Sequence, residues 1–200
     1  MKHVKMLSLA AVAAMALMAF VGAGTASATK LCSANENPCS AAHTYATGTT
    51  ITSTLKSGTS AILETFGGLV RDTCTGSEVS GKTSNESGTT ISGSVSTLSF
   101  SGCSAKTSVL EQTGTLEIGS KGEVTAKGFR VTVEILGESC VYSAGTGTAL
   151  GTLTGGSPAT LTVSATVNIN TKESGANCAT SSNWTATYTV TTPTSLFVSS

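Results

Sequence analysis

The chain is short of nearly every residue type that catalysis, metal binding or nucleic-acid recognition draws on. Charged residues make up 11% of the sequence, aspartate occurs once (Asp72), and basic and acidic side chains cancel. Without a basic excess there is no electrostatic reason to expect DNA, RNA or an anionic membrane as partner. Histidine occurs twice, and only His43 lies beyond the apolar N-terminal stretch. A serine-histidine-acid relay would have to use it, and no Gly-x-Ser-x-Gly elbow is present. Cys-x-x-Cys spacing is missing too, which removes the usual zinc and dithiol signatures. The ten glutamates are scattered along polar strand faces instead of forming the carboxylate pair of a glycosidase. After residue 28 no apolar run is long enough to span a bilayer, and no segment carries a helical period.

The N-terminus, by contrast, is strongly patterned. Lys2 and Lys5 flank the start of an apolar run, Met6 to Val21, and Ala26-Ser27-Ala28 supplies the small residues a signal peptidase reads. The sequence therefore predicts a cleaved signal helix at 1–28 and one domain at 29–200, whose 172 residues suffice for a core. Lys30 and Leu31 before Cys32 do not form a lipobox. The expected product is secreted, either free in the extracellular space or held at the cell surface by non-covalent contacts. No membrane association is expected after cleavage.

Serine and threonine account for 62 of those 172 residues, and the apolar residues among them recur with a period of two. Leu161, Val163, Ala165, Val167 and Ile169 alternate with polar residues, as do Phe129, Val131, Val133 and Ile135, and Trp184, Ala186, Tyr188 and Val190. Such runs bury one face and wet the other, as antiparallel strands do. Between Ile91 and Phe100 the buried parity changes, which predicts a bulge near Ser96-Thr97. Glycines at 58, 67–68, 119–122, 137 and 155–156 mark turns. Thr54–Leu63 and Thr152–Leu161 both read as hairpins turning at glycine. The expected architecture is all-β: an antiparallel β-sandwich, or a flattened barrel, with nine or more strands joined by short turns.

All six cysteines follow residue 28, in an exported chain, so they are expected to pair. Six cysteines allow 15 connectivities. We favour the sequential one, Cys32–Cys39, Cys74–Cys103 and Cys140–Cys178, with residues 29–48 forming a Cys-loop extension. Zinc is the weaker alternative, since one histidine and no close cysteine pair are left to bind it.

Several motifs invite a functional reading. Gly76 to Thr83 (GSEVSGKT) matches the P-loop expression, but Ser84 to Thr90 is too short and glycine-broken to supply the helix that receives phosphate, so a hairpin tip is expected. Asn35, Glu36 and Asn37 offer oxygens with a single charge, which suits a turn better than calcium. The alternating Thr185, Thr187, Thr189 and Thr191 read as the outward face of one strand. Trp184 is the one candidate ligand contact: a sugar-stacking platform if exposed, a core residue if its apolar series faces inward.

Leu31 to Cys39 (LCSANENPC), Cys74-Thr75-Gly76, Gly155 to Ala159 (GGSPA) and Trp184 to Tyr188 (WTATY) together resemble a group of small secreted, Thr/Ser/Gly-rich, six-cysteine β-proteins of high-GC Gram-positive soil bacteria. The resemblance spans most of the domain. It implies export and shared cysteines and carries no active site, cofactor or metal with it. The function expected from the sequence is that of a non-enzymatic structural or binding protein of the extracellular space or cell envelope. Its partner would be a cell-wall or environmental glycan, or another envelope protein. The alternatives are a carbohydrate-binding module using Trp184 or Tyr142 and, behind it, a secreted hydrolase using His43.

Overall fold

A computed structural model describes residues 28–65, 71–135 and 137–200, with the side chains of 106–112 and of Ile135 left out. The expected signal helix lies outside the described residues. Every described element is a strand: β1 (Thr29–Cys32), β2 (Thr50–Leu55), β3 (Ala61–Thr65), β4 (Arg71–Thr83), β5 (Ser87–Gly88), β6 (Ile91–Cys103), β7 (Lys106–Gln112), β8 (Thr115–Ile118), β9 (Glu123–Lys127), β10 (Phe129–Ile135), β11 (Glu138–Ala144), β12 (Thr148–Thr154), β13 (Thr160–Ile169), β14 (Ser181–Thr192) and β15 (Phe197–Ser199).

The sheet closes on itself. Its last long strand, β14, pairs with the first two, β2 through Leu55↔Tyr188 and β3 through Leu63↔Trp184. The result is a closed eight-stranded antiparallel barrel with extra strands, so of the two all-β architectures expected it is the barrel and not the two-sheet sandwich. Period-two alternation describes both architectures equally well. The difference lies in a single long-range pairing that no local pattern reports.

Four of the barrel's staves are continuous (β4, β6, β13, β14), and four are broken in the middle: β2/β3, β7/β8, β9/β10 and β11/β12. Each consecutive stave pairs with the next, so the chain runs up and down around the barrel. The Thr54–Leu63 hairpin is thereby corrected. β2 and β3 both run antiparallel to β14 and continue in one direction, with Lys56–Ser60 as an excursion between them. Thr152–Leu161 is a hairpin, through Leu153↔Leu161.

The breaks re-aim side chains. Val124 and Ala126 face inward on β9, and Gly128, at φ +83, inserts the residue that turns Phe129 inward on β10. An L-residue seldom adopts that φ, so glycine fits the position. The bulge in β6 falls where the sequence places it: Val95 pairs with Gly81 and Thr97 with Ser80, leaving Ser96 unpaired.

One end of the barrel is capped by the three-stranded sheet β15-β1-β5. Leu31 and Leu196, each 1% exposed, plug this end. Tyr45 Oη donates to the Ser195 carbonyl at 2.6 Å, and the Cys39 amide donates to Ser199 Oγ at 2.9 Å. The other, loop end carries the start of β4 and β11 and the Asn170–Thr180 connection. There β13 leaves β11 after Tyr142↔Ile169, and the connection takes over its edge. The Asn170 amide donates to the Val141 carbonyl and that of Gly175 to the Ser139 carbonyl.

The three disulfides join Cys32–Cys39, Cys74–Cys103 and Cys140–Cys178, in the sequential order expected, with the last two at the loop end. They fit an extracellular or otherwise oxidising compartment. Among the described residues no helix is long and apolar enough to cross a membrane. The barrel walls are apolar inside and threonine- and serine-rich outside, the opposite order from a lipid-facing barrel.

Candidate functional site

An eight-stranded barrel is just wide enough to be filled by its own side chains or to hold one small ligand. Here the inward positions include alanines at 61, 126, 144, 165 and 186, which take up little of the interior. The outcome is a cavity in the half of the barrel nearer the loop end. It comprises about 910 Å³ of atom-free space counted out to solvent, of which about 80 Å³ admits the centre of a water-sized sphere. Leu98, Phe100, Phe129, Val133, Leu150 and Val163 are part of its apolar wall.

Four polar side chains reach this wall, and they are satisfied to different degrees. Tyr188, 0% exposed, lies 3.0 Å from Ser77 Oγ. Ser77 itself donates to the Ser99 carbonyl at 2.8 Å, so the phenol donates to the serine oxygen. Burial pushes the Tyr188 hydroxyl up to about 12, against a smaller opposing effect of the Ser77 contact. Asp72, 2% exposed, accepts from the Ala105 amide at 2.8 Å and the Ser104 hydroxyl at 3.2 Å. Tyr142 is 3% exposed, and its hydroxyl has no hydrogen-bond partner among the described residues. Trp184 Nε1 is likewise buried without a partner among the described residues. The Trp184 ring is half-buried and meets Phe100 edge-on, with centroids 6.2 Å apart at 70°.

The structure therefore brings Trp184 and Tyr142 into one interior wall. Trp184 is on the inward face of β14, with Ala186, Tyr188 and Val190, and not on an outward platform. The alternating threonines 185, 187 and 189 point outward, as expected. What the single-strand reading missed is their company: Thr187 lies opposite Thr162, and Thr189 opposite both Thr160 and Thr54, on neighbouring strands.

His43 sits far from this cavity, in the Cys32–Cys39 extension. Its Nδ1 lies 2.7 Å from Glu36 Oε1 and 3.2 Å from Ser40 Oγ. The three residue types of a hydrolase relay are thus adjacent, but serine and acid meet the same ring nitrogen. A relay needs the serine on one nitrogen and the acid on the other. The Ser40 amide donates to Glu36 Oε2 at 3.1 Å, so both carboxylate oxygens hold the loop together. Asn37 Oδ1 accepts from Ser199 Oγ and the Ser200 amide, each at 3.3 Å. Of the oxygens considered for calcium, Asn37 Oδ1 ties the extension to the C-terminus and the Glu36 carboxylate is held within the extension.

The P-loop match is neither a phosphate loop nor the hairpin tip expected. Gly76 to Thr83 lies within β4 and is hydrogen-bonded to β2 on one side and β6 on the other. A Cβ on Gly81 would stand 2.2 Å from the Ser94 carbonyl oxygen, so close strand approach accounts for that glycine. The turn comes later, at Ser84–Thr90, where Asn85 Nδ2 donates to the Ser87 and Thr90 carbonyls. Asp72, Cys74 and Cys103 place one oxygen and two sulfurs within 4.8 Å of one another. The sulfurs are bonded to each other, so the cluster contains no thiolate for a metal.

Compared with protein-family models, with curated proteins and with solved structures, the chain matches none.

Proposed function

We propose that the protein is an exported, non-enzymatic binding protein that takes one small apolar molecule into the loop-end half of its barrel. The observation that carries this reading is the cavity itself. A barrel stapled at the same end by two disulfides, Cys74–Cys103 and Cys140–Cys178, leaves its interior unfilled by placing alanine at wall positions 61 and 144. Cores normally pack to the density of organic crystals, and a well-formed apolar pocket with a few convergent polar groups is what small-molecule sites share. The signal-like N-terminus and the paired cysteines support export to an oxidising compartment. The glycan-binding alternative needs an exposed ring, and Trp184 lines the interior instead. The hydrolase alternative needs a two-nitrogen histidine relay, which Ser40, His43 and Glu36 do not form.

Trp184, the only tryptophan, stands in the wall and reports on it. Titration of the protein with toluene is expected to shift the tryptophan emission saturably, with one molecule bound per chain. A linear, unsaturable response would count against the proposal.

A further inference from the structure

The free space of the barrel does not end with the loop-end cavity. A second cavity occupies the cap-end half, where its wall includes Ile51, Ile91, Val95, Ile118 and Val190 and reaches Leu196 of the plug. Like the first, it admits the centre of a water-sized sphere over about 80 Å³. Four residues line both cavities: Val79 on β4, Leu116 on β8, Val124 on β9 and Leu161 on β13. They form an aliphatic waist contributed by four separate strands. Because the strands make up the wall of a closed barrel, side chains alone stand between its two halves. Val79, Leu116 and Leu161 belong to the interior cluster yet are only partly buried, so free space adjoins them. Side chains with such room change rotamer within nanoseconds, whereas a fully packed layer would hold them in place.

We infer that the ligand is a single unbranched aliphatic chain, which enters the loop-end half, passes between Val79, Leu116, Val124 and Leu161, and ends in the cap-end half below Leu196. This rests on the binding role proposed above and specifies the shape of the molecule bound. The waist divides the free space in two, so it is narrower than either half and admits a chain where a ring system or a branched body would stop. Length fits as well. Cys74 and Thr83 of β4 line the loop-end and cap-end cavities respectively. Between them the strand advances roughly 30 Å, or about 20–25 Å along an axis from which barrel strands tilt by 35–45°. Each cavity has room for on the order of six water-sized groups, so about twelve carbons in line fill both. The cap-end half offers such a chain mainly apolar contact. Its Thr83 hydroxyl is already engaged, donating to the Ala46 carbonyl and accepting from the Thr49 amide, each at 3.0 Å. One chain across both halves also loses its translational freedom once, where two separate small molecules would lose it twice.

The test is a chain-length series of straight primary alcohols, from hexanol through octanol and decanol to dodecanol, with adamantanol as the compact counterpart of decanol at the same carbon count. Binding is read by calorimetry and from the Trp184 emission. Affinity is expected to rise about fourfold with each added methylene along the whole series, and decanol is expected to bind far more tightly than adamantanol. Ile118→Phe enlarges a side chain that lines the cap-end cavity and not the loop-end one. It should leave hexanol binding unchanged, which also reports that the variant is folded, and should level the rise beyond octanol. Ile51→Phe, in the same cavity, is a second variant with the same expected outcome. A rise that stops at hexanol in the parent protein, adamantanol binding as tightly as decanol, or a rise that continues undiminished in both variants would overturn the through-waist chain and leave the binding role standing. Failure of every alcohol and of toluene to bind would overturn the inference and the binding role together.

Discussion

The Tyr188 hydroxyl lies 3.0 Å from the Ser77 hydroxyl and links β14 to β4, two strands that share no backbone pairing. The contact therefore crosses the barrel interior instead of following the sheet. Tyr188→Phe removes the donor and leaves Ser77 its bond to the Ser99 carbonyl, so the expected cost is about 1 kcal/mol by urea denaturation. A loss above about 3 kcal/mol would mean that the phenol does more than this one bond.

The same phenol sets an alkaline limit. Its folded-state value, about 12, exceeds the ordinary 10.0, so the neutral form is favoured by folding. The stabilisation is complete below pH 10 and is lost as pH rises through about 12. A shift of that size corresponds to roughly 3 kcal/mol. Denaturation between these values should show stability falling in the parent protein and falling less in Tyr188→Phe. Identical slopes would contradict the assignment.

Glu36 sets a limit on the acid side. The Ser40 amide, then the Ser40 hydroxyl and the His43 ring, hold its carboxyl below the ordinary 4.5. A depressed carboxyl contributes above its unfolded value and loses that contribution as pH falls through the folded one. Protection of the Ser40 amide, measured against its intrinsic exchange rate at each pH, should therefore fall only below pH 4.5, and Glu36→Gln should remove the transition. A Glu36 midpoint at or above 4.5, followed by NMR, would contradict the hydrogen-bond assignment.

Cys140–Cys178 closes 38 residues and anchors the connection that completes the β11 edge. The chain-entropy account gives about 3.9 kcal/mol for such a loop, as an upper value. Replacing both cysteines with serine should cost about 2–4 kcal/mol and speed amide exchange at Asn170 and Gly175 ahead of the rest of the barrel. Uniform acceleration across all strands would show that the connection has no local stability of its own.

Much of the fold was legible because burial parity is a local property. Val163, Ala165 and Val167 announce one inward face, and the slip between Val95 and Leu98 announces the bulge at Ser96. Closure was not legible, because Leu63↔Trp184 joins residues far apart in sequence and leaves no local trace. For the same reason β2 and β3 looked like a hairpin: a turn signal at Gly58 marks a chain reversal and an excursion alike. The six cysteines pair in sequence order because each pair sits in neighbouring segments at one end of the barrel. The alternation of Trp184 with Ala186 and Tyr188 left it open between a core residue and a ligand platform, and the closed wall was needed to place it inside. The repeated inward alanines were the one sequence signal of an unfilled interior. Their meaning depends on knowing that they face a common centre.

Ala144 offers a way to close that interior. Its side chain is 5% exposed and lines the cavity. Ala144→Leu should fill the space with little strain, so the melting temperature is expected to hold or rise while uptake of small apolar molecules is lost. A variant that binds as the parent does would place the ligand elsewhere.

The central claim, that the loop-end half of the barrel holds a small apolar ligand, is tested most directly by intermolecular NOEs between toluene and methyl-labelled protein. The account predicts cross-peaks to the methyls of Ala61, Ala144 and Val163, which line the cavity, and none to the outward methyls of Thr162 and Thr185. Cross-peaks confined to the outward threonines, or none at saturating ligand, would contradict it.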